Sequence, residues 1–179
     1  MTKDSLELWT IGHSTLAINQ LIEALRSFEI EAIADVRSFP GSRRYPHFNR
    51  ELLSVSLTQA AIEYQHFPEL GGRRRARPDS LNMTWRNESF RGYADYMETE
   101  AFRQGIERLL SVARVRRTAV MCAEAVWWRC HRSLISDYLK VSGVKVAHIM
   151  AVGKSELHPF TSAARIVNGE LSYRGVLEG

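Results

Sequence analysis

Hydrophobic and polar positions along the chain predict short strands that alternate with helices. Five short apolar runs, each rich in strand-forming residues, predict strands at Leu6–Gly12, Ala32–Arg37, Glu63–Phe67, Thr118–Cys122 and Val144–Met150. Apolar residues at helical spacing predict helices over Leu16 to about Phe28, Asn49 to Ala61, Phe90 to Val115 with a break near Thr99, and His131 to Val141. Ser14 or Thr15 is expected to cap the first helix. The core face of the second helix is expected to include Leu52, Leu53, Leu57 and Ala60.

Strands that alternate with helices predict an α/β fold with a mostly parallel sheet and helices on both faces. Near the end of the chain, Asn168-Gly169 separates two short runs within Arg165–Tyr173, which is the strongest short-range signal for a β-hairpin. Neither an internal repeat nor a linker divides the sequence. We therefore expect a single domain over residues 1–179.

The composition narrows the class of protein. No stretch approaches the ~18 apolar residues that a membrane helix needs, and residues 1–5 lack the features of a signal peptide. Two cysteines are too few for a disulfide framework in a chain of 179 residues. These features predict a cytoplasmic protein with reduced thiols and no membrane association.

Arginine outnumbers lysine by 20 to 4, and the formal net charge is +4. A guanidinium group binds phosphate or carboxylate at two points, which an ammonium group does not do. The excess of arginine favours an anionic partner, either a small molecule or a nucleic acid. A GC-rich genome would produce the same ratio through its codons.

Polar residues follow the predicted strands at the point where each strand ends. They are His13 and Ser14, Asp35 and Arg37, His66, Cys122 and Glu124, and His148. In parallel α/β folds, ligands bind at the carboxyl ends of the strands. We therefore expect a functional site at this edge of the sheet.

The densest of these polar clusters runs from Cys122 to Arg132. A helix that begins near Cys130 would point free backbone N–H groups and the positive end of its dipole at an anion, with Arg129 and Arg132 beside it. The same surroundings would lower the pKa of Cys130 and favour its thiolate. Glu124 is then a general acid or base, or the partner of an arginine. Other roles remain open, namely Cys122 as a core residue, redox pairing of the cysteines, and a metal site of Cys122, Glu124, Cys130 and His131.

A second cluster lies on the loop after the predicted strand that ends at Arg37. Arg37, Ser42 and Arg43 supply two cations and a hydroxyl group, as recognition of phosphate or carboxylate requires. Asp35 is an acid/base candidate at the end of the strand. The alternative is a loop held together by its own ion pairs between aspartate and arginine.

A third cluster combines Gly71 and Gly72 with the basic run Arg73–Arg77. Two glycines permit close backbone approach to a ligand. The basic run is either a solvated loop or a nucleic-acid contact. Five aromatic residues are available to stack on a base or to pack in the core: Trp85, Tyr93, Tyr96, Trp127 and Trp128.

Together these pieces resemble the family named domain of unknown function 488. The resemblance rests on Thr10-Ile-Gly-His-Ser14, on Asp35-Val-Arg37 with Pro40 and Ser42-Arg43, on Leu70-Gly71-Gly72, and on Cys122-x-Glu124 with Cys130-His131-Arg132. It extends from about residue 8 to residue 150. The resemblance implies a small Rossmann-like domain with a shared polar site, and it implies no particular reaction.

The favoured hypothesis is an enzyme, a hydrolase or transferase, that acts on a phosphorylated, nucleotide-like or nucleic-acid substrate. The catalytic candidates are Asp35, Cys122, Glu124, Cys130 and His131. The candidates for binding the anion or substrate are His13, Ser14, Arg37, Ser42, Arg43, Gly71, Gly72 and Arg132. The alternative is a nucleic-acid-binding module without catalysis that uses Arg73–Arg77. The sequence specifies neither a cofactor nor an oligomeric state.

Overall fold

A computed structural model describes residues 5–175 of the chain. The strands in this range are β1 (Glu7–Gly12), β2 (Ala32–Asp35), β3 (Glu63–His66), β4 (Thr118–Cys122), β5 (Lys145–Ala151), β6 (Lys154–Leu157), β7 (Arg165–Val167) and β8 (Glu170–Ser172). The α-helices are α1 (Ile18–Ser27), α2 (Arg50–Gln59), α3 (Glu88–Tyr96), α4 (Glu100–Ala113) and α5 (Arg132–Val141). Single 3-10 turns lie at Pro46–Phe48, Pro68–Leu70 and Trp127–Arg129. The first and last residues of the predicted 1–179 domain, including most of the segment assessed for a signal peptide, lie outside the described range.

Six strands form one sheet in the order β3-β2-β4-β1-β5-β6. The first five are parallel and β6 is antiparallel to β5, so the predicted mostly parallel sheet is confirmed. The register pairs Gly12 with Cys122 and Asp35 with Met121. The carboxyl ends of β1, β4 and β2 therefore lie at the same level, and the loops that follow them meet at one edge.

The sequence did not indicate β6. Every residue of this strand is exposed, and its sequence, Lys-Ser-Glu-Leu, has no buried face to set an apolar alternation. The strand forms because it adds to the open edge of β5 after a tight turn with Gly153 at φ +68°. An edge strand that faces solvent carries little sequence signal.

The two faces of the sheet carry separate hydrophobic cores, which confirms the prediction of helices on both faces. One core contains α1 and α2, with Leu21, Leu25, Leu53 and Leu57 fully buried. The other contains α3, α4 and α5, with Tyr93, Phe102, Leu109 and Leu134 fully buried. The assignment of Leu52 to the core was wrong: its side chain is 53% exposed, because it lies about 100° around the helix from Leu53.

Most helix boundaries lie within two residues of their predicted positions. The break near Thr99 is confirmed, since its hydroxyl oxygen accepts the N–H of Phe102 at 3.3 Å and begins α4. The predicted cap of α1 was wrong. Ser14 has φ +46°, and the chain turns before Ala17, whose N–H donates to Gln20 Oε1 at 2.9 Å.

The predicted C-terminal hairpin is confirmed as β7 and β8. Asn168 and Gly169 have φ of +51° and +78°, the conformation that a two-residue hairpin turn requires. Across residues 5–175, none of the helices combines the length and the apolar character needed to cross a bilayer.

Candidate functional site

A cleft of about 650 Å³ lies at the carboxyl ends of β1, β2 and β4. Its lining comes from the turn after β1, the loop after β2, residues 72–73, the start of α3 at residues 89–90, and the chain between β4 and α5. Nine of the residues proposed from the sequence line this cleft: His13, Ser14, Arg37, Ser42, Gly72, Cys122, Glu124, Cys130 and His131. The remaining four, Asp35, Arg43, Gly71 and Arg132, do not line it.

Cys130 lies at the floor of the cleft, just before α5 begins. The sulfur atom lies 3.5 Å from the N–H of Arg132 and 3.5 Å from Nδ1 of His131. His131 Nε2 lies 3.0 Å from the carbonyl oxygen of Val36, which accepts only, so Nε2 carries a proton. In the neutral ring Nδ1 is then free to take the proton of the Cys130 thiol.

The two cysteines differ in their ionisation. Burial alone would raise the pKa of Cys130, but the adjacent Cys122 thiol, His131 and the Arg132 cation bring that pKa well below its ordinary value. Burial raises the pKa of Cys122 well above its ordinary value. The arrangement therefore favours a thiolate at Cys130 beside a protonated Cys122, at the positive end of the α5 dipole.

Arg37 is held in the wall of the cleft by a buried carboxylate. Asp35 is fully buried and accepts hydrogen bonds from Arg37 Nε at 2.9 Å and Nη2 at 2.7 Å, and from the hydroxyl group of Tyr64. Asp35 therefore lies behind Arg37 and orients it. This position leaves the carboxylate without access to a substrate, which corrects the sequence-based assignment of Asp35 as an acid or base.

His13 adds a neutral imidazole to the same wall. Burial lowers its pKa from 6.5 to about 4. Its ring stacks on Phe48 at 4.0 Å, and Nδ1 donates to the carbonyl oxygen of Ser14 at 2.9 Å. Nε2 therefore keeps its lone pair and faces Nη1 of Arg37 at 3.4 Å.

Arg132 does not reach the cleft, which corrects its assignment as an anion-binding residue. Its side chain is buried and runs beneath the loop after β4, where Nη2 donates to the carbonyl oxygen of Glu124 at 2.7 Å. The backbone of Gly12 packs so closely on this loop that an added Cβ would lie 1.6 Å from the same oxygen. Arg132 thus fixes the position of Glu124 instead of binding a ligand.

Gly71 and Gly72 leave space for the side chains of neighbouring residues. The sequence had indicated that these glycines let the backbone approach a ligand. An added Cβ would lie 2.4 Å from His131 Nδ1 at Gly72 and 2.5 Å from Ser38 Oγ at Gly71. The absence of a side chain at Gly72 therefore lets the His131 ring lie where it meets Cys130.

The basic run Arg73–Arg77 is divided between different environments. Arg74 lies 3.6 Å from the centre of the Tyr96 ring and donates to the carbonyl oxygens of Gly71 and Pro68, both at 3.2 Å. Arg77 pairs with Glu98 at 2.6 Å. Arg73 lines the cleft. The run is therefore not a uniform solvated patch.

A family model described as Domain of unknown function DUF488 matches residues 17–139. This span is more than two thirds of the chain. The chain belongs to this family. No curated protein and no solved structure matches it. The match includes the loop after β2, the two glycines and the Cys130-His131 pair, and the family description assigns no reaction.

Several residues that line the cleft of this DUF488 protein were not singled out from the sequence as site residues. They are three aromatic residues, Phe39, Tyr45 and Phe90, whereas the lining cations Arg73 and Arg129 belong to clusters that the sequence indicated. Phe39 is 74% exposed, and the guanidinium group of Arg73 lies 5.5 Å from its ring centre. Their positions depend on loop paths that spacing does not reveal.

Glu124 and Arg129 are two charged groups of this site whose side chains are free of ion pairs in the described part of the chain. Both are exposed at the cleft, and neither side chain forms an ion pair within residues 5–175. The alternative in which Glu124 is the ion-pair partner of an arginine is therefore not found within residues 5–175. Arg43 is exposed outside the cleft, while Ser42 Oγ accepts the N–H of Tyr45 at 2.9 Å and shapes its own loop. No group of three or more metal-binding side chains is found in the part of the chain that the structure describes.

A buried chain of hydrogen bonds connects the site to the second core. Arg132 Nη1 donates to Thr10 Oγ1 at 3.1 Å, and Thr10 lies 2.5 Å from His148 Nδ1. His148 Nε2 lies 2.8 Å from His158 Nδ1, and His158 Nε2 lies 2.7 Å from Asp137. Because Asp137 accepts from His158, each group in this chain donates toward the carboxylate.

The position of His148 in this series of hydrogen bonds corrects the expectation that it lies at the carboxyl edge of the sheet. His148 is in the interior of β5, opposite Thr10, and burial lowers its pKa to about 2. His148 is therefore neutral, and it accepts a hydrogen bond from Thr10 and donates one to His158 within the series that runs from Arg132 to Asp137. Asp137 was missed in the sequence, although a carboxylate on the buried face of a predicted helix is a signal for such a network.

Proposed function

We propose that the cleft is the active site of a thiol-dependent hydrolase or transferase that acts on a nucleotide-like or otherwise phosphorylated small molecule. The observation that carries this proposal is the position of Cys130. Its sulfur atom lies at the floor of the cleft within 3.5 Å of both the Arg132 N–H and His131 Nδ1. A thiol with a base and a helix N-terminus beside it is an activated nucleophile.

In the proposed reaction, the Cys130 thiolate attacks an electrophilic carbon or phosphorus atom of the bound substrate. A bond from that atom to sulfur forms while its bond to the leaving group breaks. The leaving group departs with the electron pair and takes a proton from the imidazolium form of His131 or from Glu124. Water or a second substrate then attacks the same atom, which releases the thiolate and returns a proton to the residue that gave one up.

The substrate class follows from the groups around the thiol. The cleft contains the guanidinium groups of Arg37, Arg73 and Arg129. Among its described lining residues, Glu124 carries the one carboxylate. Guanidinium groups bind phosphate at two points, as they also bind carboxylate. The exposed ring of Phe39 offers a flat apolar surface on which a nucleobase stacks, and Phe90 also lines the cleft.

The alternative of a nucleic-acid-binding module depends on the basic run as a free surface. Arg74 and Arg77 are occupied by Tyr96 and by Glu98, so only Arg73 and Arg75 remain for a backbone of phosphates. The cleft is therefore the better candidate for function. A cytoplasmic location, where thiols stay reduced, is part of this proposal because the nucleophile must be a free thiol.

Alkylation with iodoacetamide, followed by intact mass, tests the nucleophile. Wild type and Cys122→Ser are expected to be modified once, at pH values well below the ordinary thiol pKa, whereas Cys130→Ser stays unmodified. Nucleotides and sugar phosphates that bind the cleft should slow this reaction and stabilise the fold. A ligand at 100 times its Kd adds about 2.7 kcal/mol to stability. Reaction of Cys130 only at alkaline pH, with no protection by any phosphorylated compound, would refute the proposal.

A protecting compound also tests the acid/base role of Glu124. Glu124→Gln is expected to abolish turnover of that compound while its binding and the melting temperature stay close to wild type. Full activity in Glu124→Gln would remove this residue from the mechanism and leave His131 as the proton carrier.

A further inference from the structure

We infer that Cys122 and Cys130 form a reversible disulfide when the protein meets a hydroperoxide, with Cys130 as the thiol that is oxidised first and Cys122 as the thiol that resolves it. The chain contains only these two cysteines. Cys122 ends β4 and Cys130 precedes α5, and both are free thiols that line the same cleft. An intramolecular disulfide in this protein therefore has a single possible pairing.

The thiols of Cys122 and Cys130 interact with each other, and both residues line the cleft. The Cys122 thiol lies 3.9 Å from the carbonyl oxygen of Glu124, and Arg132 donates to that oxygen at 2.7 Å. The backbone N–H of the same arginine lies 3.5 Å from the sulfur of Cys130. Arg132 therefore contacts the loop beside Cys122 through its guanidinium group and the sulfur of Cys130 through its backbone N–H.

Their surroundings give the two thiols different roles. Cys130 has His131 and a backbone N–H directed at its sulfur, which favours the thiolate that reacts with peroxides. Cys122 lies among apolar residues, and burial raises the pKa of its thiol well above the ordinary value, which keeps it protonated. A thiolate beside a second cysteine is the arrangement found in redox-sensing proteins.

The chemistry balances with the peroxide as the oxidant. The Cys130 thiolate attacks one peroxide oxygen, the O–O bond breaks, and the departing hydroxide takes a proton from His131 to give water. Cys130 is then a sulfenic acid. The Cys122 sulfur displaces the hydroxyl group, which leaves as water with the Cys122 proton, and the S–S bond forms. The two thiols lose two electrons in total, which reduce the peroxide to water.

Disulfide formation would switch off the site of the proposed function, because Cys130 could no longer act as a nucleophile. That consequence rests on the proposed function, whereas the oxidation itself does not. Reduction by a dithiol would restore the free thiol. Oxidation of Cys130 alone continues to irreversible acids, so the disulfide also protects the nucleophile.

The test treats the full chain, under native conditions, with hydrogen peroxide at low molar excess and measures the intact mass. Wild type is expected to lose the mass of two hydrogen atoms, to lose iodoacetamide reactivity in proportion, and to recover both with dithiothreitol. Cys122→Ser should instead gain oxygen. Cys130→Ser should remain unchanged at the same dose, because its remaining thiol is protonated and unreactive.

Two results would overturn the inference. One is the addition of oxygen to wild type without the loss of two hydrogen atoms. The other is oxidation of Cys130→Ser as fast as Cys122→Ser, because it would show that the thiols are equivalent. Alkylation of the reduced protein and its protection by phosphorylated compounds are measured on the same samples. A failure of the disulfide is thereby distinguished from a failure of the proposed active site.

Discussion

Asp35 and Arg37 form a two-point ion pair inside the protein. Oδ1 of Asp35 lies 2.9 Å from Arg37 Nε, and Oδ2 lies 2.7 Å from Nη2. The carboxylate is fully buried and the guanidinium group is 8% exposed. Only Val36 separates the partners in sequence, so the end of β2 and the residues just after it carry both the cation of the cleft wall and the group that fixes its direction.

Replacement of Asp35 by asparagine is expected to destabilise the protein by about 3 to 5 kcal/mol, because the buried Arg37 cation loses its counter-charge. Glu100→Gln is the matched control, since it removes the carboxylate of an ion pair with Arg103 whose side chains are 69% and 54% exposed. That pair should contribute less than about 1 kcal/mol. Urea denaturation of both variants checks the prediction. Equal effects would mean that Arg37 finds water or another partner when Asp35 is neutral.

His13 predicts a specific dependence of stability on pH. The pKa of His13 is about 4 in the folded protein and 6.5 as an unperturbed group. Between these values the unfolded chain binds a proton that the folded protein does not, so stability falls as the pH is lowered from 6.5 to 4. The shift corresponds to roughly 3 kcal/mol at about pH 4.

The measurement compares wild type with His13→Gln by denaturation across this pH range. The variant should lose less stability on acidification, and the difference between the two curves isolates His13 because His148 titrates in both proteins. Parallel curves from pH 7 to pH 4 would contradict the assignment of a neutral, buried His13.

Much of the sheet could be predicted because β1, β2, β4 and β5 are buried on both faces and appear in the sequence as apolar runs. The same logic placed the cleft, since the ends of parallel strands meet at one edge. β6 could not be predicted because no face of it is buried. The pattern of apolar residues therefore predicts buried strands better than it predicts exposed strands at the edge of a sheet.

Individual side chains of the site were harder to place because their partners are distant in sequence. Arg132 follows Cys130 at the start of α5, yet its guanidinium group contacts Thr10, 122 positions earlier. Arg73 lies in a run that looks solvated, yet it lines the cleft. The sequence pattern indicates where along a helix or loop a residue lies. It does not indicate which way the side chain points, because that depends on contacts with residues distant in sequence.

The buried chain from Arg132 to Asp137 makes Thr10 more important than other buried threonines. Thr10→Val keeps the shape of the side chain but leaves Arg132 Nη1 and His148 Nδ1 without their shared partner. We expect a loss of about 3 kcal/mol, because one of these groups is charged. Thr118→Val is the control, since Thr118 is also fully buried but donates one hydrogen bond, to the carbonyl oxygen of Arg116 at 2.9 Å. Its loss should be about 1 kcal/mol. Thermal and urea denaturation measure the loss of stability in both variants. Equal losses would show that the hydrogen bonds from Arg132 to Asp137 contribute nothing to stability.

Gly72 tests whether His131 sets the reactivity of Cys130. A methyl group at Gly72 would lie 2.4 Å from Nδ1 of His131, so the ring must move away from the sulfur atom in Gly72→Ala. The thiolate then loses a neighbour that lowers its pKa, and at pH values below that pKa the alkylation rate should fall by roughly tenfold for each pKa unit gained. Gly41→Ala provides the control, because nothing lies within 4 Å of its added Cβ. Circular dichroism of both variants establishes that each is folded before alkylation is compared. If Gly72→Ala reacts at the wild-type rate, the helix N-terminus and Arg132 alone maintain the thiolate, and His131 has no part in activating Cys130.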